Sequence, residues 1–332
     1  MALSKIEVPS LDVGQLGNRN LLINSEFRVN QRGITSLTGN TGETKFLADR
    51  WITYCNAVSW SASIQEVTLP DGTVTNSLKT VATTTSAGAF FHPFQKIETY
   101  GKDYLQGKKV VLSAWVRTNV AGQFIRICDS VNCHLIGTMI PADGQWHKVS
   151  AVHTMPTSMN TGANNFIQFQ PLFNTVSLAT NDYCEFALPQ MELGYSEPTP
   201  FEHESYGTTL QKCMRYFQRL EWKGGNTIVA IAYDATNGIC GLDYTRKRAE
   251  PTFTLPTATN ATDQANGISF LTAAGNYRSG TGTVTASHIS RDSCRINFYD
   301  WSSSGGTGDA TWAYFTSNDS SDTCFIHIDA EL

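Results

Sequence analysis

Charge is scarce in this chain: Asp, Glu, Lys and Arg make up 16% of its 332 residues, against roughly 25% in an ordinary soluble domain. The formal net charge is -5 and the basic residues are scattered, so the electrostatic footprint of a nucleic-acid binder or an anionic-membrane binder is missing. The densest basic run, Arg246-Lys247-Arg248, is short and reads as a solvated turn or a subunit contact. Long apolar runs are absent too, which excludes a membrane span. Met1 to Pro9 lacks the charged-then-apolar layout of a signal peptide, so the expectation is a protein made and folded in a cytoplasm. No Cys-x-x-Cys pair occurs among Cys55, Cys128, Cys133, Cys184, Cys213, Cys240, Cys294 and Cys324, and none lies near histidines at zinc-ligand spacing. Free, mostly buried thiols are expected. Cys128 and Cys133 bracket a hairpin and are the one pair worth testing for a disulfide. Ser–His–Asp, Walker and His-x-x-x-His motifs are missing as well. No cofactor and no metal are therefore expected.

What fills the chain is apolar residue, at 41%, together with Thr, Ser, Asn and Gly, the vocabulary of strands and tight turns. Its length argues for two folded units. Arg50–Tyr54 and Val58–Ile64 alternate with the period of two that puts every second side chain on one face. Pro70-Asp71-Gly72 marks a hairpin turn. Val110–Val116 is the clearest strand, expected at the centre of a sheet and buried on both faces. Phe124–Cys128, His147–His153, Phe166–Gln170 and Tyr183–Leu188 follow at sandwich-like spacing. Leu21-Leu22-Ile23 is a further short strand signal. One helix is expected, with Leu210, Cys213, Met214 and Phe217 on one stripe and Thr208 or Thr209 as cap. Beyond it, Thr227–Ala232, Thr252–Leu255, Val284–Ile289, Cys294–Tyr299, Trp312–Phe315 and Cys324–Asp329 read as a second set of strands.

The fold expected is all-β: two antiparallel β-sandwich (jelly-roll) modules joined by a short helix, with an extended N-terminal arm. Residues 1–18 form the arm, 19–205 the first sandwich, 206–218 the linker helix and 219–332 the distal sandwich. Leu3, Ile6, Val8 and Leu11 give the arm something to bury against a partner.

Asn20-Leu-Leu-Ile-Asn-Ser-Glu-Phe27, Gln31-Arg-Gly33 and Ala48-Asp-Arg-Trp51 open an ordered series. It continues through Asn76–Lys79, Gln95–Glu98, Leu105–Lys108 and Leu112–Trp115, and closes with Gln190–Gly194, Pro200-Phe-Glu202 and Cys213–Phe217. This series resembles the jelly-roll module of tailed-bacteriophage tail fibres and related virion appendages, over about residues 19–220. The resemblance implies a non-enzymatic structural protein on the virion exterior, a homotrimer with a sandwich related to carbohydrate-binding modules. Its leader would attach to other virion proteins, and its distal domain would meet a host surface polysaccharide. Neither a collagen-like repeat nor a heptad stalk is present, so a capsid fibre or neck decoration binding only other virion proteins stands as the alternative.

Glycan binding by a sandwich needs exposed ring faces flanked by Asn, Asp or Gln, because sugar C–H faces stack on rings while hydroxyls seek planar amides and carboxylates. The distal half offers Tyr299, Trp301, Trp312 and Tyr314 around a Ser/Gly loop ending in Asp309; aromatics pack sandwich interiors as a rule, and Trp301, presented at a strand end, is the exception read as a ligand platform. Trp51, Trp60 and Trp115 lie within strand patterns and read as core. A glycan depolymerase would need a carboxylate pair; Asp71, Asp143, Glu185, Glu192 and Asp300 are present, but their spacing specifies no shared face. His147 and His153 share one face of a strand and read as ordinary polar residues. By analogy with carbohydrate-binding modules, Asn24 and Glu26 are the candidates for a structural calcium.

Overall fold

A computed structural model describes residues 19–97, 102–158, 167–194, 196–223, 227–232, 237–255, 257–258, 267–271, 277–278, 283–299, 310–316 and 323–331. The arm, with Leu3, Ile6, Val8 and Leu11, lies outside the described residues. The chain forms two compact units, one running to Leu210 and one starting at Gln211. Both are built of β-sheet, as the composition requires.

In the first unit the strands are β1 (Ser36–Gly39), β2 (Thr44–Ala48), β3 (Trp51–Asn56), β4 (Trp60–Thr68), β5 (Val74–Ala82), β6 (Ser86–Phe91) and β7 (Gln95–Ile97). After the short helix α1 (Lys102–Leu105) come β8 (Lys109–Thr118), β9 (Gln123–Asp129), β10 (Cys133–Ile140), β11 (His147–Thr154), β12 (Ile167–Phe173), β13 (Val176–Leu178) and β14 (Tyr183–Leu193). One layer is a six-stranded sheet in the order β1-β4-β5-β14-β8-β11. The other comprises two four-stranded sheets, β10-β9-β12-β7 and β13-β6-β3-β2, linked by a bridge between Ile52 and Phe94. The non-sequential order of antiparallel neighbours is that of a jelly roll. Strand β8 is an interior strand, next to last rather than central. Its Val110, Leu112, Ala114 and Val116 enter the core between the layers; Ser113, Trp115 and Arg117 face the other way.

Turn chemistry fixes the β4–β5 hairpin. The Gly72 N–H donates to the Leu69 carbonyl and the Leu69 N–H to the Thr73 carbonyl, both at 2.9 Å. Gly72 takes φ 87°, where a Cβ would be strained.

Leu21-Leu22-Ile23 is not a strand. The neighbouring asparagines claim the backbone groups a ladder would need. Asn20 Oδ1 accepts from the N–H groups of Leu22 and Met191 at 3.0 and 3.1 Å. Asn24 Nδ2 donates to the carbonyls of Val29 and Asp49, and its Oδ1 accepts from the Val29 N–H. Under this clamp sits Trp51, fully buried, with its indole N–H directed at the carbonyls of Ile23 and Asn24. Its ring meets Phe27 and Phe186 at 5.4 and 5.3 Å. Asp49 receives the Gln31 side chain at 2.6 Å and Arg32 at 3.3 Å, while Glu202 accepts from the Asn20 N–H at 2.7 Å. Asn20, Asn24, Asp49 and Trp51, from the motifs that carry the resemblance, thus close the sandwich.

Cys128 and Cys133 are disulfide-bonded, which corrects the expectation of free thiols for that pair. They are directly opposite each other in the β9–β10 register. Cys55, Cys184, Cys213, Cys240 and Cys294 are buried and form no disulfide; burial pushes the Cys240 and Cys294 thiols up to about 12, so they are poor nucleophiles.

Helix α2 (Tyr206–Met214) is capped by Ser205, not by Thr208 or Thr209: Ser205 Oγ accepts the Thr208 N–H at 3.2 Å. It ends at Met214, and Phe217 already belongs to the next strand.

The second unit continues with β15 (Phe217–Lys223), β16 (Thr227–Ala232), β17 (Gly238–Asp243), β18 (Thr252–Thr254), β19 (Thr257–Ala258), β20 (Gly267–Leu271), β21 (Tyr277–Arg278), β22 (Thr283–Ser287), β23 (Ser293–Tyr299), β24 (Ala310–Thr316) and β25 (Thr323–Asp329). Sheet β15-β25-β18 packs against the sheet β19-β20-β24-β16-β17-β23-β22 through Ile326, Ile328, Cys240, Ile296 and Phe298. One pair departs from the antiparallel expectation: β19 and β20 run parallel.

Lys247 overturns the solvated reading of the basic run, since it is fully buried. Its ammonium donates to the Met214 carbonyl and to Gln218 Oε1, and Arg248 caps the carbonyls of Ala330 and Glu331. Only Arg246 is solvated, in an exposed pair with Asp292. Burial pushes the Lys247 amine down to about 7 against the pull of Asp329. The unfolded chain holds that proton to about 10.5. It therefore binds more protons than the folded chain between those two values, and stability rises with pH across that window. Urea midpoints measured from pH 6.5 to 8, below the range in which the unfolded chain's thiols ionise, are expected to climb in the parent and to climb less in Lys247→Met; equal slopes would contradict this.

Candidate functional site

Period-two alternation gives each layer of the first unit an outward face. On the layer holding β3, β6, β9 and β12, the inward set is Cys55, Phe91, Ile125, Ile127, Ile167 and Phe169. The outward set is a strip of rings and amides: Tyr54, Phe90, His92, Phe173, Arg126, Gln168 and Gln170. Tyr54, Phe90, His92, Arg126 and Gln168 are half-buried, each keeping part of its surface in solvent. Register explains the adjacency, because the His92 N–H bonds the Tyr54 carbonyl at 2.8 Å and Gln170 faces Arg126 across the β12–β9 pair.

The rings touch in sequence. Tyr54 and Phe90 lie 6.1 Å apart, Phe90 and Phe173 4.9 Å, and His92 and Phe173 5.5 Å. The Arg126 guanidinium sits 3.9 Å over the Phe173 ring, a cation–π contact that fixes its plane. Gln170 bonds His92 Nε2 and is approached by Arg126 at 3.4 Å. Burial, with Arg126 nearby, pushes the His92 imidazole down to about 3, so this ring stays neutral at ordinary pH. Among the described residues of the strip there is no carboxylate. The arrangement offers apolar ring faces and amide and guanidinium hydrogen bonds, but no acid or base.

The opposite layer carries a cleft of about 320 Å³ lined by Asp71, Trp115, Lys148, Gln190, Phe201 and His203, among others. Trp115 is half-buried on this outward face and packs, as Trp146 and Phe201 do, against the small cluster of Leu69, Ala187 and Leu188, which corrects its assignment to the main core. Trp51 and Trp60 are core, at 0% exposure. Near the cleft, β14 carries a bulge at Leu188, whose φ is 48°, and the register against β8 shifts between Ala187 and Gln190. Glu185 and Glu192 therefore share the outward face despite their odd spacing. Each carboxylate is committed. Glu185 holds Ser77 at 2.6 Å and Arg117 at 2.8 Å, while Glu192 accepts from the Thr199 N–H at 3.0 Å and its hydroxyl.

Of the residues singled out in the sequence, Tyr299 ends β23 half-buried, and Trp312 lies in β24, with β16 and β17 between those two strands. The Trp312 side chain, Trp301, Asp309 and Asp300 lie outside the described residues. Asp71 and Asp143 are exposed, and Asp143 bonds His147 at 2.9 Å. Asn24 and Glu26 do not fit a calcium site: the Asn24 amide is used in the clamp, and Glu26 is engaged by Arg28 at 2.9 Å and by His203 Nδ1 at 3.0 Å. The strip went unread in the sequence although Tyr54, Phe90 and Gln168 sit at outward positions of strands, because assigning parity across four strands requires their order.

Neither a protein-family model nor a curated protein matches the sequence. Solved structures similar to this chain include the tandem CBM22-1–CBM22-2 domain of Paenibacillus barcinonensis Xyn10C, at 11% identity and TM-score 0.29, covering 89% of this chain and 96% of that one. The family 11 carbohydrate-binding module of Clostridium thermocellum Lic26A-Cel5E matches at 12% identity and TM-score 0.27, over 51% of this chain and 99% of that one. The CBM22-1–GH10 modules of C. thermocellum xylanase 10B, complexed with xylohexaose, match at 16% identity and TM-score 0.30, over 52% of this chain and only 30% of that one. At such TM-scores these likenesses decide nothing further, and the jelly-roll assignment rests on the sheet order.

Proposed function

We propose that this chain is a non-enzymatic tail fibre of a bacteriophage, binding a host surface polysaccharide through the ring-and-amide strip of its first unit. The observation that carries the glycan reading is the strip itself, in which the half-exposed rings of Tyr54, Phe90 and His92 lie beside Arg126 and Gln168, backed by the buried Phe173 and Gln170. Rings stack on sugar C–H faces, and the planar polar groups take the hydroxyls. The commitment of Glu185 and Glu192 to structural partners supports binding without hydrolysis. The virion reading is supported by the ordered motif series, and the same likeness supports a homotrimer attached by residues 1–18. Three copies on one axis would turn a weak sugar contact into a firm one.

Purified chain is expected to bind host capsule or lipopolysaccharide and to compete with adsorption of the particle. Folded protein that does neither would remove the receptor role. The absence of a collagen-like repeat and a heptad stalk favours a second reading, a capsid fibre or neck decoration that binds only other virion proteins. An image of the particle with the chain labelled separates the two.

A further inference from the structure

The two sheet layers of the first unit end in the edge strands β10 and β11, and at that margin three side chains converge. Asp129 closes β9, His134 lies on β10, and His153 reaches in from β11. Asp129 Oδ2 receives His134 Nε2 at 2.9 Å and His153 Nε2 at 3.0 Å. The ligand atoms of all three lie within 4.8 Å of one another, and the two imidazoles stand 4.8 Å apart at 35°. We propose that Asp129, His134 and His153 form a binding site for a divalent transition-metal ion of the zinc class, clipping the two layers together at their open edge.

The carboxylate is oriented for this role. Asp129 Oδ1 is held by the backbone N–H groups of Val131 and Asn132 at 3.1 and 2.9 Å, which leaves Oδ2 for a single metal bond. An aspartate is an anionic ligand at neutral pH. Tetrahedral zinc with bonds of about 2.0–2.1 Å sets its ligand atoms roughly 3.3 Å apart, so Oδ2 withdraws by about 0.3–0.4 Å from each nitrogen while the two imidazole nitrogens, within 4.8 Å of each other, close by up to about 1.5 Å through rotation of the more exposed His134 ring. Metal would replace hydrogen on each Nε2, the ring hydrogen then residing on Nδ1. Two imidazoles and one carboxylate suit zinc, cobalt or nickel better than calcium or magnesium, which prefer all-oxygen shells.

Pre-organisation comes from the adjacent disulfide, since Cys128 directly precedes Asp129 and Cys133 directly precedes His134. His153 is 12% exposed in its side chain and His134 39%, so the site has an entrance and room for a solvent ligand. His147, on the same strand face as His153, takes no part; it bonds Asp143.

The test uses tag-free full-length chain stripped with chelator, then titrated with Zn2+ alone and with Co2+ alone. One ion per chain is expected, with visible cobalt absorption of a four-coordinate site. The first unit should gain about 5 °C or more in Tm at a hundredfold excess over Kd. His134→Ala, at a half-exposed position that leaves the core intact, and His153→Ala should each weaken Zn2+ binding at least tenfold and abolish the cobalt signal. Zn2+ binding weaker than about 100 μM in the parent, or affinity within threefold of the parent in both variants, would overturn the proposal.

Discussion

Trp51→Ala is expected to destabilise the first unit by about 3–5 kcal/mol, a large share of the roughly 5–15 kcal/mol that holds an ordinary domain together. Two losses combine. The ring that meets Phe27 edge-on and Phe186 at a tilt leaves a cavity at the centre of the larger core. Its indole N–H also vacates the carbonyls of Ile23 and Asn24, which anchor the irregular segment closing the sandwich. Trp51→Phe keeps much of the packing and loses the hydrogen bonds, so a cost of about 1–2 kcal/mol is expected for it. Urea unfolding followed by circular dichroism measures both. A cost below 1 kcal/mol for the alanine variant would show that the clamp does not depend on this ring.

The second large effect concerns binding. Tyr54→Ala and Phe90→Ala each remove a half-exposed ring from the strip while leaving the inward core residues Cys55 and Phe91 in place. Covering about 60 Å² of ring face is worth roughly 1.5 kcal/mol, or about tenfold in affinity per ring. The double variant is expected to lose about a hundredfold in polysaccharide binding, with Tm within a few degrees of the parent. Arg126→Ala should lose affinity through the guanidinium and also free the Phe173 ring it covers. Retained affinity in the folded double variant would move the site elsewhere, with the Trp115 cleft next to be substituted.

Much of the fold was legible because strand signals are local. The run from Thr227 to Ala232 and the turn at Pro70-Asp71-Gly72 were recovered from alternation and turn chemistry. Leu21–Ile23 failed for a reason alternation cannot reveal: Asn20 and Asn24 bind backbone that lies far away in sequence. The Ser205 cap was missed in favour of threonines one turn too late. Lys247 was read as solvated because its acceptors, Met214 and Gln218, are about thirty residues distant. The strip and the Asp129 cluster were illegible for a shared reason. Each is assembled from strands whose neighbours are set by sheet order, and His153 finds its partners on β9 and β10 rather than on its own strand.

The clamp of Asn20, Asn24, Asp49 and Trp51 and the outward rings occupy opposite ends of a division of labour. Folding is governed by side chains sealed inside the sandwich, and the proposed recognition by side chains on which the core does not depend. Such a scaffold can change its target without relearning how to fold: exchanging Tyr54, Phe90, His92 or Arg126 rewrites the contact surface while every inward partner keeps its neighbour. Under the proposed receptor role, a change of target would need only a handful of codons revised.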